Sequence, residues 1–243
     1  MTTYAVPATV QITRSVPRSA EAVGVPVGTS GTVPRILGLS RAALAAHVLP
    51  SADGPTLVAV GIGDPAKVSA TVLRNAAAAV VRGAGKRAVV ATTLADLPGV
   101  DAVRAGQAVA EGALLAAYRF AGIKKTANTS ALTELVLVAG EARSKGVSTG
   151  AERGRVTVGA AYLARDLANL PPAYMTARMM AEKAQEVGRA SGLTVEVFDE
   201  HQLEEMGCGG MLGVNRGSTE PPRMVRLTYT PKNATGHLAL VGK

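Results

Sequence analysis

Residues 56–63 read TLVAVGIG, an apolar run with no polar alternation that closes on glycines. A strand that shows one face to water alternates apolar and polar side chains. A strand apolar throughout is covered on both faces, as parallel strands are in layered α/β domains. Helix punctuation follows at once in DPAKVSATVLRNAAAAVVRG, with Asp64 placed to cap the first turn, Pro65 at the first helical position and Gly83 just past the end. KRAVVATT is the next strand, VDAVRAGQAVAEGALLAAYRF the next helix, ALTELVLVAG another strand, and ATVQITRSV alternates at period two upstream. This order predicts an α/β layered domain.

The pattern changes after KGVSTGAERG. GAERGRVTVGAAYLARDLANL is one long helical stretch, stopped by Pro171 and Pro172, which cannot continue a helix. TARMMAEKAQEVGRASG reads as a helix from an N-cap at Thr176 to a stop at Gly192. LTVEVFD, RMVRLTYT and HLALVGK read as strands and EHQLEEMG as a short helix. The expected organisation is an N-terminal α/β/α domain over residues 1–148, a connecting helix over 149–170, and an incomplete second α/β domain with a central, mostly parallel sheet over 171–243.

With 47 % apolar and only 3 % aromatic residues, the core must be built from small aliphatic side chains. One cysteine, Cys208, excludes an internal disulfide framework. The start shows no secretory pattern and no apolar run approaches a membrane span, so a soluble cytoplasmic protein is expected, with no membrane partner. The net charge of +8 is uneven: residues 1–150 hold 15 lysines and arginines against 8 acids, and residues 151–243 hold 11 against 10. Scattered basic residues on solvated faces account for that excess. A DNA-binding role for the basic first half is the alternative.

Local motifs carry little chemistry. GIGDPAK (residues 61–67) follows a strand and opens a helix, as an anion site does, but lacks the spacing and the terminal hydroxyl residue of a phosphate loop. GAGKR at Gly83 fails for the same reason. His47, His201 and His237 are dispersed. In EVFDEHQLEE, Asp199 fits a helix cap and Glu204 and Glu205 a solvated face. Cys208 reads as a small buried or turn residue rather than a nucleophile.

A resemblance goes further. ARDLANLPPAYMTA (164–177), GLTVEVFDEHQLEEMGCGGMLGVNRGSTEPPRMVRLTY (192–229) and LALVGK (238–243) are similar, in order and spacing, to the leucyl aminopeptidase (cytosol aminopeptidase) family. In the family pattern LGV begins a strand, and LALVGK is the strand that delivers the first metal-binding lysine. The first 150 residues match loosely, chiefly at VGIGDPAKV. The resemblance implies an aminopeptidase with two divalent metal ions, manganese or zinc (magnesium is a third candidate), that activate a water against the first peptide bond of peptides, leucine favoured. It implies a homohexamer and makes Lys243 a metal ligand. A lysine ligates only as a neutral amine, so burial and adjacent cations must depress a pKa that is ordinarily ~10.4. The family's other ligands, its second lysine and its arginine fall beyond Lys243. The resemblance therefore implies no catalytic residue within the 243 and an inactive chain on its own. Cys208 stands where relatives commonly carry methionine.

Overall fold

The computed structural model describes residues 7–28, 46–123 and 130–242. The chain divides into two compact units, Met1–Asn169 and Leu170–Lys243.

In the first unit, β1 (Thr9–Thr13), β2 (Ala22–Gly28), β3 (Ala46–Leu49), β4 (Thr56–Gly63), β5 (Val89–Thr92) and β6 (Glu134–Val138) form one sheet in the order β1-β6-β5-β2-β4-β3. Every neighbouring pair is parallel except the edge pair β3–β4. The mostly parallel α/β sheet is thus present as expected. Helices α1 (Ala70–Ala84), α2 (Ala102–Ala117) and α3 (Glu141–Asn169) follow β4, β5 and β6. The steps β4-α1-β5 and β5-α2-β6 move across the sheet in one direction, so right-handed crossovers place α1 and α2 on one face, and α3 packs into the same core. Their buried residues, Leu73, Val80, Val109 and Val147 among them, pack with Val60, Val90, Leu135 and Leu137 of the sheet. The alternate residues Val23, Ala91, Val136 and Val138 face the other way and pack around Ala20.

Small residues set the helix spacing. A Cβ on Gly150 of α3 would lie 1.9 Å from the Val103 carbonyl oxygen of α2. One on Gly106 of α2 would lie 2.2 Å from the Val147 carbonyl oxygen, and one on Gly112 1.9 Å from the Arg74 carbonyl oxygen of α1. The backbones touch, and no larger residue fits between them. Where they touch, Glu111 binds three neighbours: Arg74 of α1 at 2.8 Å, Gln107 of α2 at 2.8 Å and Thr157 of α3 at 3.0 Å. Burial raises its pKa and these donors lower it; the donors prevail, leaving the carboxyl below its usual range.

The expected helix at 64–83 is in fact two pieces. Asp64 and Pro65 start only a 3-10 turn, Pro65–Lys67, which extended backbone at Val68 ends. Ser69 caps α1 proper, which runs through Gly83 to a stop at Gly85 (φ +65°). Gly83 is interior to α1 and packs close to the sheet: a Cβ there would meet a Val58 methyl at 2.8 Å. Two strands escape the sequence pattern. β3 is only four residues long. β2 contains Pro26, a residue that argues against a central strand. The geometry removes the conflict. The Gly24 carbonyl accepts from Thr93 N–H at 3.3 Å on the β5 side, Pro26 shares the parity of Gly24, and the β5 pairing has ended at Gly24. No ladder bond is lost.

The second unit holds α4 (Ala177–Ser191), β7 (Thr194–Phe198), α5 (Glu200–Glu205), α6 (Gly209–Asn215) and β8 (Met224–Thr228). Thr176 caps α4 as expected, and Gly192 (φ +68°) ends it in the left-handed region. The strands β7 and β8 pair antiparallel, Thr194 opposite Thr228. Two expectations are corrected here. LGV (212–214) is helical, inside α6. Residues 237–242 of HLALVGK form no strand; Leu238, Leu240 and Val241 are 86–97 % exposed. A strand is stabilised across its hydrogen-bond ladder, and no described strand pairs with this segment. At α5, Asp199 and Gln202 form a reciprocal capping box. Asp199→Ala is expected to lower the stability of this unit by about 1 kcal/mol in urea denaturation.

Candidate functional site

Lys243, the one metal ligand that the resemblance implies, lies outside the described residues. The densest acidic stretch of the sequence, Glu196–Glu205, is described; Glu196, Asp199 and Glu200 are each engaged, while Glu204 and Glu205 are exposed. Both Glu196 oxygens accept from Arg226, whose guanidinium also lies 5.5 Å from the Phe198 ring centre. Asp199 accepts from Gln202 N–H at 3.0 Å. Glu200 accepts from Arg223 at 2.6 Å. The Arg226 bonds hold the Glu196 carboxyl below the usual range, and the backbone bond at Glu200 together with Arg223 does the same there. Glu220 pairs with Arg178 at 3.4 Å.

Among the described residues, no three His, Cys, Asp or Glu side chains converge as metal ligands would. The donor set present does not fit a dinuclear metal site. His201 and His237 are exposed, and His47 is half-buried on the edge strand β3. Cys208 is half-buried at the start of α6 and makes no capping bond.

GIGDPAK is also occupied by its own chain. Asp64 Oδ1 accepts from Ala66 N–H at 3.0 Å, and Lys67 lies 4.0 Å from Oδ2. A carboxylate already sits where an anion would need that N–H.

The ARDL residues have a role that sequence reasoning missed. They lie near the end of α3 and fasten it to the end of α2. The Tyr118 hydroxyl donates to Asp166 at 2.8 Å and accepts from Asn169 at 3.0 Å. Arg165 lies 5.3 Å from the Tyr118 ring centre. Tyr162, 3 % exposed, meets Tyr118 edge to face at 5.0 Å and donates to the Leu114 carbonyl. Burial pushes the Tyr162 hydroxyl up to about 12 and raises Tyr118 as well. The signal for this cluster is weak in the sequence, because its two tyrosines lie 44 positions apart on different helices.

Family profiles decide the affiliation. The cytosol aminopeptidase family, N-terminal domain, matches residues 36–127, and the catalytic domain of the same family matches residues 162–243. The chain belongs to the cytosol aminopeptidase family. A probable cytosol aminopeptidase of Streptomyces avermitilis is 37 % identical over 234 residues, covering 89 % of this chain and 44 % of that protein. One of Mycobacterium leprae is 35 % identical over 204 residues, covering 81 % of this chain and 39 % of that protein. The chain spans about two fifths of the length of these curated relatives.

Among solved structures, the bottromycin maturation enzyme BotP in complex with Mn superposes with a TM-score of 0.75 at 33 % identity, over 88 % of this chain and 46 % of that one. A variant of tomato leucine aminopeptidase superposes with a TM-score of 0.81 over 95 % of this chain and 52 % of that one; at 16 % identity it speaks for the fold alone. The family's catalytic match begins at residue 162, inside α3 and inside the first compact unit. Sequence family and spatial unit therefore divide the chain at different points. Among the described residues, no helix is long and apolar enough to cross a membrane.

Proposed function

We propose that this chain is the amino-terminal part of a metal-dependent aminopeptidase that removes N-terminal residues from peptides, leucine favoured. The observation that carries the reading is the catalytic-domain match over residues 162–243. The manganese complex of a relative at 33 % identity supports a divalent metal. The two-ion count, the choice between manganese and zinc, the cytoplasmic setting and a homohexameric assembly rest on the family resemblance.

Lys243 is proposed as a ligand in a chain that continues past it. Glu196, Glu200 and Glu220 pair with arginines and Asp199 caps α5, so no step of the reaction is assigned to them. The test has two arms. The 243-residue chain with manganese present is expected to give no turnover of leucine p-nitroanilide, and clear metal-dependent turnover would refute the division of labour. A longer protein is expected to be active and to lose that activity on Lys243→Ala. Unchanged activity in that variant would remove Lys243 from the metal site.

A further inference from the structure

GAGKR, which forms no phosphate loop, contributes to a cavity of about 520 Å³ at the carboxyl ends of α1 and α2, where β5 begins. Pockets that enclose small ligands range over about 300–1,000 Å³. Arg82, Lys86, Arg87 and Arg119 line this one, and no carboxylate does. None of the four makes an ion pair among the described residues. Two of them are held in place: Arg87 donates to the Ala84 carbonyl at 2.8 Å, and Arg119 donates to the Ala116 and Tyr118 carbonyls at 3.1 and 2.7 Å.

These bonds offset the negative ends of the two helices, each worth about half a charge. Four cations against two such ends leave the mouth of the cavity positive. A guanidinium carries five N–H donors, and each bound arginine spends one nitrogen on carbonyls, so donors remain for a ligand. The wall includes the apolar side chains Val90 and Leu132.

We propose that this cavity binds a small organic phosphate. A single carboxylate is satisfied by one arginine fork, whereas a phosphate offers three acceptor oxygens and close to two charges, matching several converging cations. The apolar wall takes the uncharged body of the ligand. Nucleic acid is the poorer fit: bases bind single-strand sites by stacking on aromatic rings, and no aromatic residue lines the cavity.

The probe is ADP, titrated calorimetrically into the 243-residue chain, with pyrophosphate as competitor and a duplex oligonucleotide as a separate arm. Saturable ADP binding is expected, displaced by pyrophosphate. Arg82→Gln combined with Lys86→Gln, both exposed positions, is expected to weaken it about tenfold or more. ADP is expected to raise the melting temperature of the parent chain and not of the double variant, with Lys86→Gln alone intermediate. No binding to the parent chain, equal ADP affinity in the double variant, or binding of the duplex without ADP would overturn the proposal.

Discussion

Gly150→Val is expected to destabilise the first unit by about 3 kcal/mol or more, read as a lower midpoint in urea or thermal denaturation of the whole chain. The cause is geometric. The first carbon of any side chain at position 150 would lie 1.9 Å from the Val103 carbonyl oxygen and 2.8 Å from the Gln107 nitrogen. Both are backbone atoms of α2, so no rotamer change relieves the overlap. Relief requires α3 to move away, and the next contacts on the seam are as tight: a Cβ on Gly106 meets the Val147 carbonyl oxygen at 2.2 Å. Separation at one position therefore opens voids at its neighbours. Gly159 is the control on the same helix. Nothing lies within 4 Å of a Cβ there, so Gly159→Ala is expected to stabilise the protein by up to about 1 kcal/mol, as a helix-interior glycine replaced without strain does. Effects of opposite sign at two glycines of one helix separate packing from helix propensity. A Gly150→Val protein with the parental midpoint would mean that the seam is not closed in solution.

The second large effect is a loss of stability at high pH that Tyr162 controls. Its hydroxyl titrates near 12 in the folded chain because burial penalises the phenolate, against about 10 when unfolded. The folded state therefore holds this proton more tightly. The contribution is full below pH 10, declines as the unfolded chain ionises, and is lost as pH rises through 12. Integrated over that window it amounts to about 2–3 kcal/mol. In Tyr162→Phe the total loss of stability between pH 10 and 12 is expected to be smaller by that amount, while the neutral-pH stability falls only by about 1 kcal/mol for the bond to the Leu114 carbonyl. Parallel pH profiles for the parent and the variant would show that Tyr162 titrates normally.

The parallel α/β organisation of the first unit was legible because its signals are local. The uniformly apolar β4 and the interior alanines of α1 and α2 each depend on a few adjacent residues, as does the cap at Thr176 in the second unit. What failed depended on distant ones. Pro26 forbids a central strand only if both neighbours run its whole length, and β5 does not. Asp64 and Ser69 are both credible caps, and Val68 decides between them by its backbone conformation. HLALVGK has the composition of a buried strand, yet burial requires a partner that its own sequence cannot specify. LGV follows the family's strand pattern in sequence but continues a helical turn here. The candidate site rests on resemblance alone: Lys243 is proposed as a ligand by likeness to a family pattern, and neither charge nor spacing singles it out. The cations of the cavity looked scattered because Arg119 joins Arg82, Lys86 and Arg87 only through the register of two helices.

The 29 residues of α3 span about 44 Å, and α2 with its capping residue Tyr118 grips the helix at Gly146, Gly150, Gly154, Thr157, Tyr162 and Asp166 in turn. A force applied at Asn169 along the helix axis would load these contacts together, in shear. Each backbone notch would have to disengage at once, whereas a helix pulled sideways is peeled one turn at a time. The residues of the family's ARDL motif stand at the loaded end of that joint, where they act as its bolts.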